Sequence, residues 1–352
     1  MQDNEKDIMI PTNTSKLDDI EFYKSIAEII KKARNNLKKT INTTMVNTYF
    51  EIGKNIINKE QHGEKRAQYG KRILQELSDY LSKELGGGFS VDNLRLMRKF
   101  YSVYSDFEIQ ESLIPKFNSN ISWTHYIQLM RVKDKNERIF YELEIANNGW
   151  SIREFQRQYD SSLYERLALS RDKNKIRELS EKGQVIELPQ DLFKDPYILE
   201  FTGLPEKASY SETDLEQKLI DNLKDFLLEL GKGFAFMKRQ SRFTFEEDSY
   251  YVDLVFYNQL LHCFVLIDLK IGRLKAQDIG QMQMYVNYYD RKVVSPGDNP
   301  TIGIILCKDK KDSVVELMLP KENNQIFAGQ YQTVLPSKDE LKKALELVTM
   351  TD

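Results

Sequence analysis

Two stretches of apolar and aromatic residues, followed by a helical pattern, dominate the second half of this chain. Residues 249–291 read SYYVDLVFYNQLLHCFVLIDLKIGRLKAQDIGQMQMYVNYYDR. The first two stretches are rich in β-branched and aromatic residues and are separated by polar Asn258 and Gln259, which predicts a β-hairpin. Apolar residues then recur at helical spacing, which predicts a helix over residues 277–290.

Two acidic residues interrupt these apolar strands. A hairpin folded symmetrically about Leu260 and Leu261 places Asp253 directly opposite Asp268, with side chains about 5 Å apart on one face. Two carboxylates this close repel each other and need compensation. Lys270, two residues further on the same face, is one source of positive charge and a divalent cation is the other. An exposed hairpin balanced by Lys270 and water is the simpler alternative.

The first half of the chain is helical in pattern almost throughout residues 19–168, with two successive helices predicted before residue 60. The first of them has an apolar stripe of Phe22, Ile26, Ile29, Ile30 and Ala33. Three later helices are each preceded by a serine suited to N-capping: Ser90, Ser122 and Ser151. The helix after the first serine carries basic residues on its predicted outer face: Arg95, Arg98 and Lys99. Helix, short turn and basic helix resemble a helix-turn-helix, and DNA contact and simple solvation are equally compatible with it.

The order of elements predicts four segments. Residues 1–18 form a flexible tail, residues 19–170 a helical domain with DNA-binding character, and residues 171–210 a linker whose apolar residues need burial. Residues 211–352 form a second domain with the order α-β-β-β-α-β, which favours a mixed sheet with helices on its faces. The fold class is therefore α+β overall, an all-α domain followed by an α/β domain.

Composition narrows the function classes. Lys and Arg total 51 against 54 Asp and Glu, a formal charge of −3, so a globally basic nucleic-acid binder is excluded and any such contact must be local. The beginning of the sequence lacks the apolar core of a signal peptide, and no run reaches the roughly 18 apolar residues of a membrane span. Cys263 and Cys307 are the only cysteines, which fits a reducing cytoplasm, and the dispersed histidines give no support for zinc.

Other polar residues accompany the two acids. Glu216 continues the buried row of the helix that opens the second domain, where it is either a first-turn acid favoured by the helix dipole or a site residue. Gln281 and Tyr285 lie four residues apart and therefore share a helix face, with core packing as the alternative for Tyr285. A preceding predicted strand carries three basic residues that are candidates for phosphate contacts: Lys238, Arg239 and Arg242.

Phosphodiester hydrolysis is the chemistry that this set of residues permits. It requires a positioned water, neutralisation of the phosphate and stabilisation of the leaving oxygen, and Mg²⁺ held by one or two carboxylates supplies all three. Asp253 and Asp268 are hard oxygen ligands, and the Leu269 carbonyl is a candidate third ligand. Lys270 is placed to orient or deprotonate the attacking water, while Glu216 could reach the outer shell.

These residues resemble the signature of the PD-(D/E)xK nucleases. The superfamily pattern of a helix Glu, a strand Asp and an Asp/Glu-x-Lys is similar to Glu216, Asp253 and Asp268-Leu269-Lys270. Two departures are the replacement of the usual Pro-Asp by Val-Asp and the use of Asp rather than Glu as the second acid. Both variants occur within the superfamily.

Nearly the whole chain resembles the YhcG family of bacterial proteins. Family-like strings include GFSVDNLRLMRKFY, SWTHYIQLMRV, FLLELGKGFAFMKRQSRF and YYVDLVFYNQLLHCFVLIDLKIG. Gln281-Met-Gln-Met-Tyr285 is similar to the Gln-x-x-x-Tyr element of the RecB-like nucleases. The resemblance implies a helical DNA-binding domain joined to a Mg²⁺-dependent (or Mn²⁺-dependent) nuclease domain of the restriction-endonuclease-like fold.

Three hypotheses follow from the sequence. The leading one is a cytoplasmic, Mg²⁺-dependent nuclease that acts on DNA. The second is a catalytically silent nucleic-acid-binding or regulatory protein on the same fold, and the third is a nuclease that acts on RNA. No membrane association is expected, and homo-oligomerisation stays open.

Overall fold

The computed structural model describes residues 14–61, 66–105, 117–170, 173–206, 209–311, 315, 317–320 and 322–350. The chain divides into two compact units, Met1–Arg131 and Val132–Asp352. Residues 1–13 of the predicted flexible tail lie outside the described residues, and the first helix begins at Thr14, inside the predicted tail. None of the described helices combines the length and apolarity that a bilayer crossing requires.

The described residues of the first unit form helices and no strand, as predicted. Its helices are α1 (Thr14–Gln61), α2 (Arg66–Leu85), α3 (Val91–Tyr104) and α4 (Trp123–Leu129). Helix α1 is one continuous helix where the sequence predicted two, because neither proline nor glycine interrupts it before Gly53. Its C-terminal half packs on α3, and a side chain at Gly53 would collide with the Met97 carbonyl.

The predicted serine caps are confirmed. The Ser90 side chain accepts the Asn93 amide of α3, which starts that helix. Ser122 forms a reciprocal capping box with His125 of α4. These caps satisfy backbone amides that the first helical turn leaves without intrahelical acceptors.

The second unit surrounds one mixed sheet with helices. Its helices are α5 (Lys135–Asn148), α6 (Ile152–Asp160), α7 (Leu163–Leu169), α8 (Lys173–Lys182), α9 (Glu212–Asp221), α10 (Leu223–Leu230), α11 (Ala276–Lys292) and α12 (Lys338–Met350). Its strands are β1 (Tyr197–Ile198), β2 (Phe234–Phe245), β3 (Asp248–Asn258), β4 (Cys263–Arg273), β5 (Ile302–Asp309) and β6 (Ile326–Gln332). Ser151 caps α6, completing the third predicted cap.

The strand order is β1-β6-β5-β4-β3-β2. Strands β2, β3 and β4 pair antiparallel, whereas β4, β5, β6 and β1 pair parallel. Helices α9 and α10 cover one face through Leu215, Leu219 and Phe226, and α11 covers the other through Met282 and Tyr285. The predicted α/β domain with a mixed sheet is therefore confirmed, and α11 is the crossover that parallel β4 and β5 require.

The segment predicted as a linker belongs to the second unit. Residues 171–210 contribute α8 and β1, and β1 pairs with β6 at Tyr197 and Ile198. The expected burial of its apolar residues is confirmed, since Leu192, Tyr197 and Leu199 are fully buried in the sheet core. Helices α5 to α7, assigned to the helical domain from sequence, also lie within this second unit.

Candidate active site

The hairpin of β3 and β4 has the predicted register. Its pairs run from Asn258–Cys263 to Leu254–Ile267, and one further step would set Asp253 against Asp268. The backbone pairing ends there, and the Leu269 amide donates to Asp253 Oδ2 at 2.8 Å. The Asp253 carboxylate therefore takes the place of a backbone acceptor where the two strands separate.

Asp268 is buried at this point of separation. Its side chain is 3% exposed, and the Lys270 ammonium lies 2.8 Å from its Oδ2. Burial and the Asp253 charge raise the pKa of Asp268, Lys270 opposes both effects, and the net result is a pKa of about 7. The buried carboxyl therefore holds a proton more readily than an exposed aspartate does.

Lys270 is held among carboxylates. Besides Asp268, the Glu212 carboxylate of α9 lies 3.9 Å from its Nζ. Burial lowers the pKa of Lys270, but Asp268, Glu212 and Asp253 together outweigh it, and the net shift is upward. The side chain is therefore a protonated donor in this state, which suits orienting a water molecule better than taking a proton from it.

Glu216 lies on the site side of α9. Ser211 and Asp214 form the capping box of α9, so the interpretation of Glu216 as the first-turn acid is wrong. Glu216 is 3% exposed, and Arg239 Nε lies 3.0 Å from its Oε1. Its carboxylate is thus paired with a side chain of β2 and not with backbone amides at the helix terminus.

Gln240 connects two of the acids and was missed by the sequence reasoning. Its side-chain amide donates to Glu216 Oε2 and, at 3.1 Å, to Asp253 Oδ1. Its backbone has a φ of 45°, a left-handed conformation that is uncommon for a residue other than glycine. The one signal available from sequence was the polar run from Lys238 to Arg242 between apolar parts of one strand.

Gln281 and Tyr285 meet on α11 as predicted. The Gln281 amide donates to the Tyr285 hydroxyl, and the Tyr285 ring packs edge-on against Phe243 at 5.7 Å. Tyr285 is fully buried, which confirms core packing for its ring. Burial raises the pKa of Tyr285, and Asp268 and Asp253 add to the rise, which places the hydroxyl within the field of both acids.

The basic residues predicted to contact phosphates differ in their surroundings. Arg239 is paired with Glu216 and also donates to Gln217, so it belongs to the site rather than to an open edge. Lys238 and Arg242 are exposed on β2, and Arg242 donates to Ser249. On α3, Lys99 is exposed, whereas the other two basic residues are paired: Arg95 with Asp92 and Arg98 with Glu60 of α1.

The donor set suits a hard divalent cation held mainly by two carboxylates. Within the described ranges, no group of three or more His, Cys, Asp or Glu side chains is arranged as a metal site. Mg²⁺ is commonly bound by one or two carboxylates and several waters, so Asp253 and Asp268 fit it. The carbonyl of Leu269 as a third ligand stays a prediction. Gln240 donates a hydrogen bond to Asp253 and Lys270 pairs with Asp268, so both contact oxygens that a cation would use.

Two family models cover most of the chain. Residues 190–346 match the YhcG PDDEXK nuclease domain, and residues 25–166 match the DUF1016 N-terminal domain. The Escherichia coli (strain K12) protein named "Putative nuclease YhcG" is 36% identical over 353 residues, covering 93% of each chain.

Two solved structures have limited similarity. A repair endonuclease from Pyrococcus abyssi aligns with 38% of this chain at 16% identity and a TM-score of 0.25, and EndoMS in its apo form aligns with 37% at 15% identity and the same TM-score. The chain spans about half of each, 50% and 48%.

Proposed function

The chain belongs to the YhcG family, and from that premise we propose that it is a metal-dependent nuclease that hydrolyses phosphodiester bonds in DNA. The observation that carries the proposal is the convergence of Asp253, Asp268 and Lys270 where β3 and β4 separate. Buried acids of this kind are unfavourable without compensation, and they cluster at functional sites.

Each site residue has a proposed role. Asp253 and Asp268 would hold Mg²⁺ or Mn²⁺, with the Leu269 carbonyl as a proposed third oxygen. The bound cation would neutralise the scissile phosphate and lower the pKa of a coordinated water. Lys270, protonated beside Asp268, would orient the attacking water through a hydrogen bond. Glu216 would accept hydrogen bonds from water in the outer shell.

The remaining polar residues would contact the nucleic acid. Gln281 would hold a phosphate oxygen through its amide, and the buried Tyr285, whose hydroxyl accepts from that amide, would position it. The other basic residues are proposed phosphate contacts: Lys238, Arg242, Arg95 and Lys99, which are exposed, and Arg98, which is half-buried. Arg239, already paired with Glu216, is proposed to support the site instead.

A cleavage panel tests the proposal. The wild-type chain and Asp268→Asn are incubated with plasmid, linear and branched DNA and with matched RNA, in Mg²⁺, Mn²⁺ or EDTA. We expect metal-dependent cleavage of DNA by the wild type and a loss of more than about 100-fold for Asp268→Asn, since even outer-shell partners of metal sites are worth 10–100-fold. Asp309→Asn is the matched control, because Asp309 is an exposed acid paired with Arg273.

The alternatives predict other results. Preferential cleavage of RNA would favour a nuclease that uses the same site on RNA. Identical behaviour of the wild type and Asp268→Asn on every substrate, with DNA still bound, would favour the silent binding protein. A cytoplasmic location remains our proposal, resting on the two buried, unpaired thiols of Cys263 and Cys307.

A further inference from the structure

The N-terminal half of α1 presents a row of large apolar side chains to solvent. They are between 37 and 63% exposed: Ile20, Phe22, Tyr23, Ile26, Ile29, Ile30, Leu37, Ile41 and Met45. Scattered exposed apolar residues are ordinary, but a continuous row over 26 residues of one helix is not. We name these nine residues the α1 stripe.

The stripe is distinct from the face by which α1 packs in its own unit. Val46, Phe50 and Ile56 are buried in the C-terminal half of the helix, where it contacts α3. At 100° per residue, Val46 and Phe50 lie about 120–180° around α1 from Ile26 and Leu37, and Ile56 lies about 100–120° from them. The helix therefore has two apolar faces, and the described residues cover only one.

The spacing within the stripe is that of a helix-pairing surface. Tyr23, Ile30 and Leu37 are seven residues apart, and Ile26 and Ala33 follow the first two by three. These are the a and d positions of successive heptads, which form the seam between two packed helices. Ala33, near the centre of the stripe, has a side chain small enough for close approach of a second helix.

The exposed area is large enough for a stable dimer. With roughly 150–200 Å² of surface for each large apolar side chain, the exposures of the stripe leave on the order of 700–900 Å² per chain uncovered. A standard interface buries about 800 Å² per partner, and the largest apolar patch of an ordinary monomer is about 300–600 Å².

The charges beside the stripe indicate the direction of pairing. Its N-terminal part contains two acids, Glu21 and Glu28, and one base, Lys24. The following part contains only bases: Lys31, Lys32, Arg34, Lys38 and Lys39. Parallel pairing would bring the two basic parts together, whereas antiparallel pairing sets each against the acidic part of the other helix.

We propose that residues 20–45 of α1 pair antiparallel with the same segment of a second copy of this chain. The α1 stripe forms the seam, and Ala33 lies close to the two-fold axis. Such a contact is isologous, because the same patch is used by both copies, and it closes as a dimer. The proposal does not depend on the proposed nuclease activity.

Sedimentation equilibrium of the full chain tests the interface. We expect the wild type to be dimeric at micromolar concentration and Ile30→Glu/Leu37→Glu to be monomeric, with the dissociation constant raised at least 100-fold. Asn35→Glu is the control, because it adds a negative charge on the opposite side of the segment and leaves the dimer intact. A wild type that is monomeric at 50 µM, or a double variant that dimerises like the wild type, overturns the proposal.

Spin-label distances test the orientation without disrupting the seam. Labels are placed one at a time at Lys24→Cys and Asn35→Cys, with Cys263 and Cys307 buried and unreactive. Lys24 and Asn35 both lie on the side of α1 away from the seam, so the lateral separation of the two labels is similar at either position. About a common centre near Ala33, antiparallel helices add an offset along the axis of roughly 27 Å between the two Lys24 labels but only roughly 6 Å between the two Asn35 labels. The Lys24 distance is therefore expected to be the longer one. Equal distances at both positions mean parallel helices and overturn the antiparallel arrangement.

Discussion

At the scale of the residue, a hydrogen-bonding amide and an ammonium group compensate the acids of the candidate site. Gln240 donates to Glu216 and Asp253, and Lys270 lies against Asp268. The pKa of Asp268 is about 7 because burial and Asp253 together outweigh the attraction of Lys270. The acids thus lie close together before any cation binds, and the two side chains that compensate them come from β2 and β4.

Replacing Gln240 tests whether its amide positions the acids. We expect Gln240→Ala to lower the cleavage rate and the Mn²⁺ affinity by about 10–100-fold, the usual effect of losing a partner of a metal-binding carboxylate. Comparing Gln240→Ala with Gln240→Gly distinguishes the role of the side chain from that of the backbone. Both variants remove the amide, but only glycine adopts the left-handed backbone conformation without strain. Cleavage assays and titration calorimetry measure both quantities.

The control for the two Gln240 variants is Gln283→Ala on α11. Gln283 donates a hydrogen bond to Asn287. The control variant should leave rate and affinity unchanged. If Gln240→Ala and Gln240→Gly both retain wild-type metal affinity and rate, the amide has no positioning role.

At the scale of the element, a buried charge network joins helices that are distant in sequence. Glu229 of α10 is fully buried, and Arg166 of α7 lies 2.6 Å from its Oε1. The Ile198 amide of β1 donates to the same oxygen at 3.0 Å, and Arg157 of α6 approaches the other at 3.4 Å. No sequence pattern indicated this network, because its members are 31 to 72 residues apart from Glu229.

Glu229→Gln should destabilise the protein in a pH-dependent way. Burial raises the pKa of Glu229, but Arg166, Lys194 and Arg157 outweigh it and lower the pKa to about 2. The folded state therefore keeps this carboxylate ionised, and the resulting stability is present above pH 4.5 and lost as the pH falls from 4.5 towards 2.

Urea unfolding measures this effect. At pH 7 we expect Glu229→Gln to lower the free energy of unfolding by about 3–5 kcal/mol, since it leaves Arg166 buried without its counter-charge. The difference from the wild type should shrink as the pH is lowered through 4.5 towards 2. Glu181→Gln, at an exposed pair with Arg177, serves as the control with an expected change below about 1 kcal/mol. A pH-independent difference would contradict the linkage to ionisation.

At the scale of the whole molecule, the compact units and the family models divide the chain at different positions. The second unit begins at Val132, whereas the nuclease-domain match begins at residue 190. Within this unit, α12 is tied to the α5–α7 region by Lys338, which pairs with Glu137 and lies 3.6 Å from Glu165. Helices α5 to α7 are thus part of the structure that supports the sheet.

Two fragments test the boundary. We expect residues 132–352 to unfold cooperatively, because the fragment keeps the Glu229 network, β1 and the ion pairs of α12. Residues 211–352 should fail to do so, because Glu229 would be buried without Arg166 and Arg157, and the core would lack Tyr197 and Leu199. Circular dichroism during thermal unfolding distinguishes the two, and a cooperative transition of 211–352 at the same midpoint would support the division predicted from sequence.

The sequence by itself determined the helices, their serine caps, the strands and the hairpin register that sets Asp253 against Asp268. These features depend on local periodicity and on the symmetry of one turn, which neighbouring residues specify. Local inference failed at two helices: α1 is one helix where two were predicted, and the helix predicted to open the second domain is divided at Asn222 into α9 and α10.

Only the tertiary structure decided how the acids are compensated and what is buried. The bridge made by Gln240, the pairing of Arg239 with Glu216, the Glu229 network and the parallel pairing of β1 with β6 all join residues far apart in the chain. The stability of these contacts depends on desolvation and on packing between elements, and neither can be predicted from the periodicity of the sequence. The α1 stripe illustrates the same limit of sequence analysis. Its apolar spacing could be predicted from the sequence, but the exposure of its side chains could not.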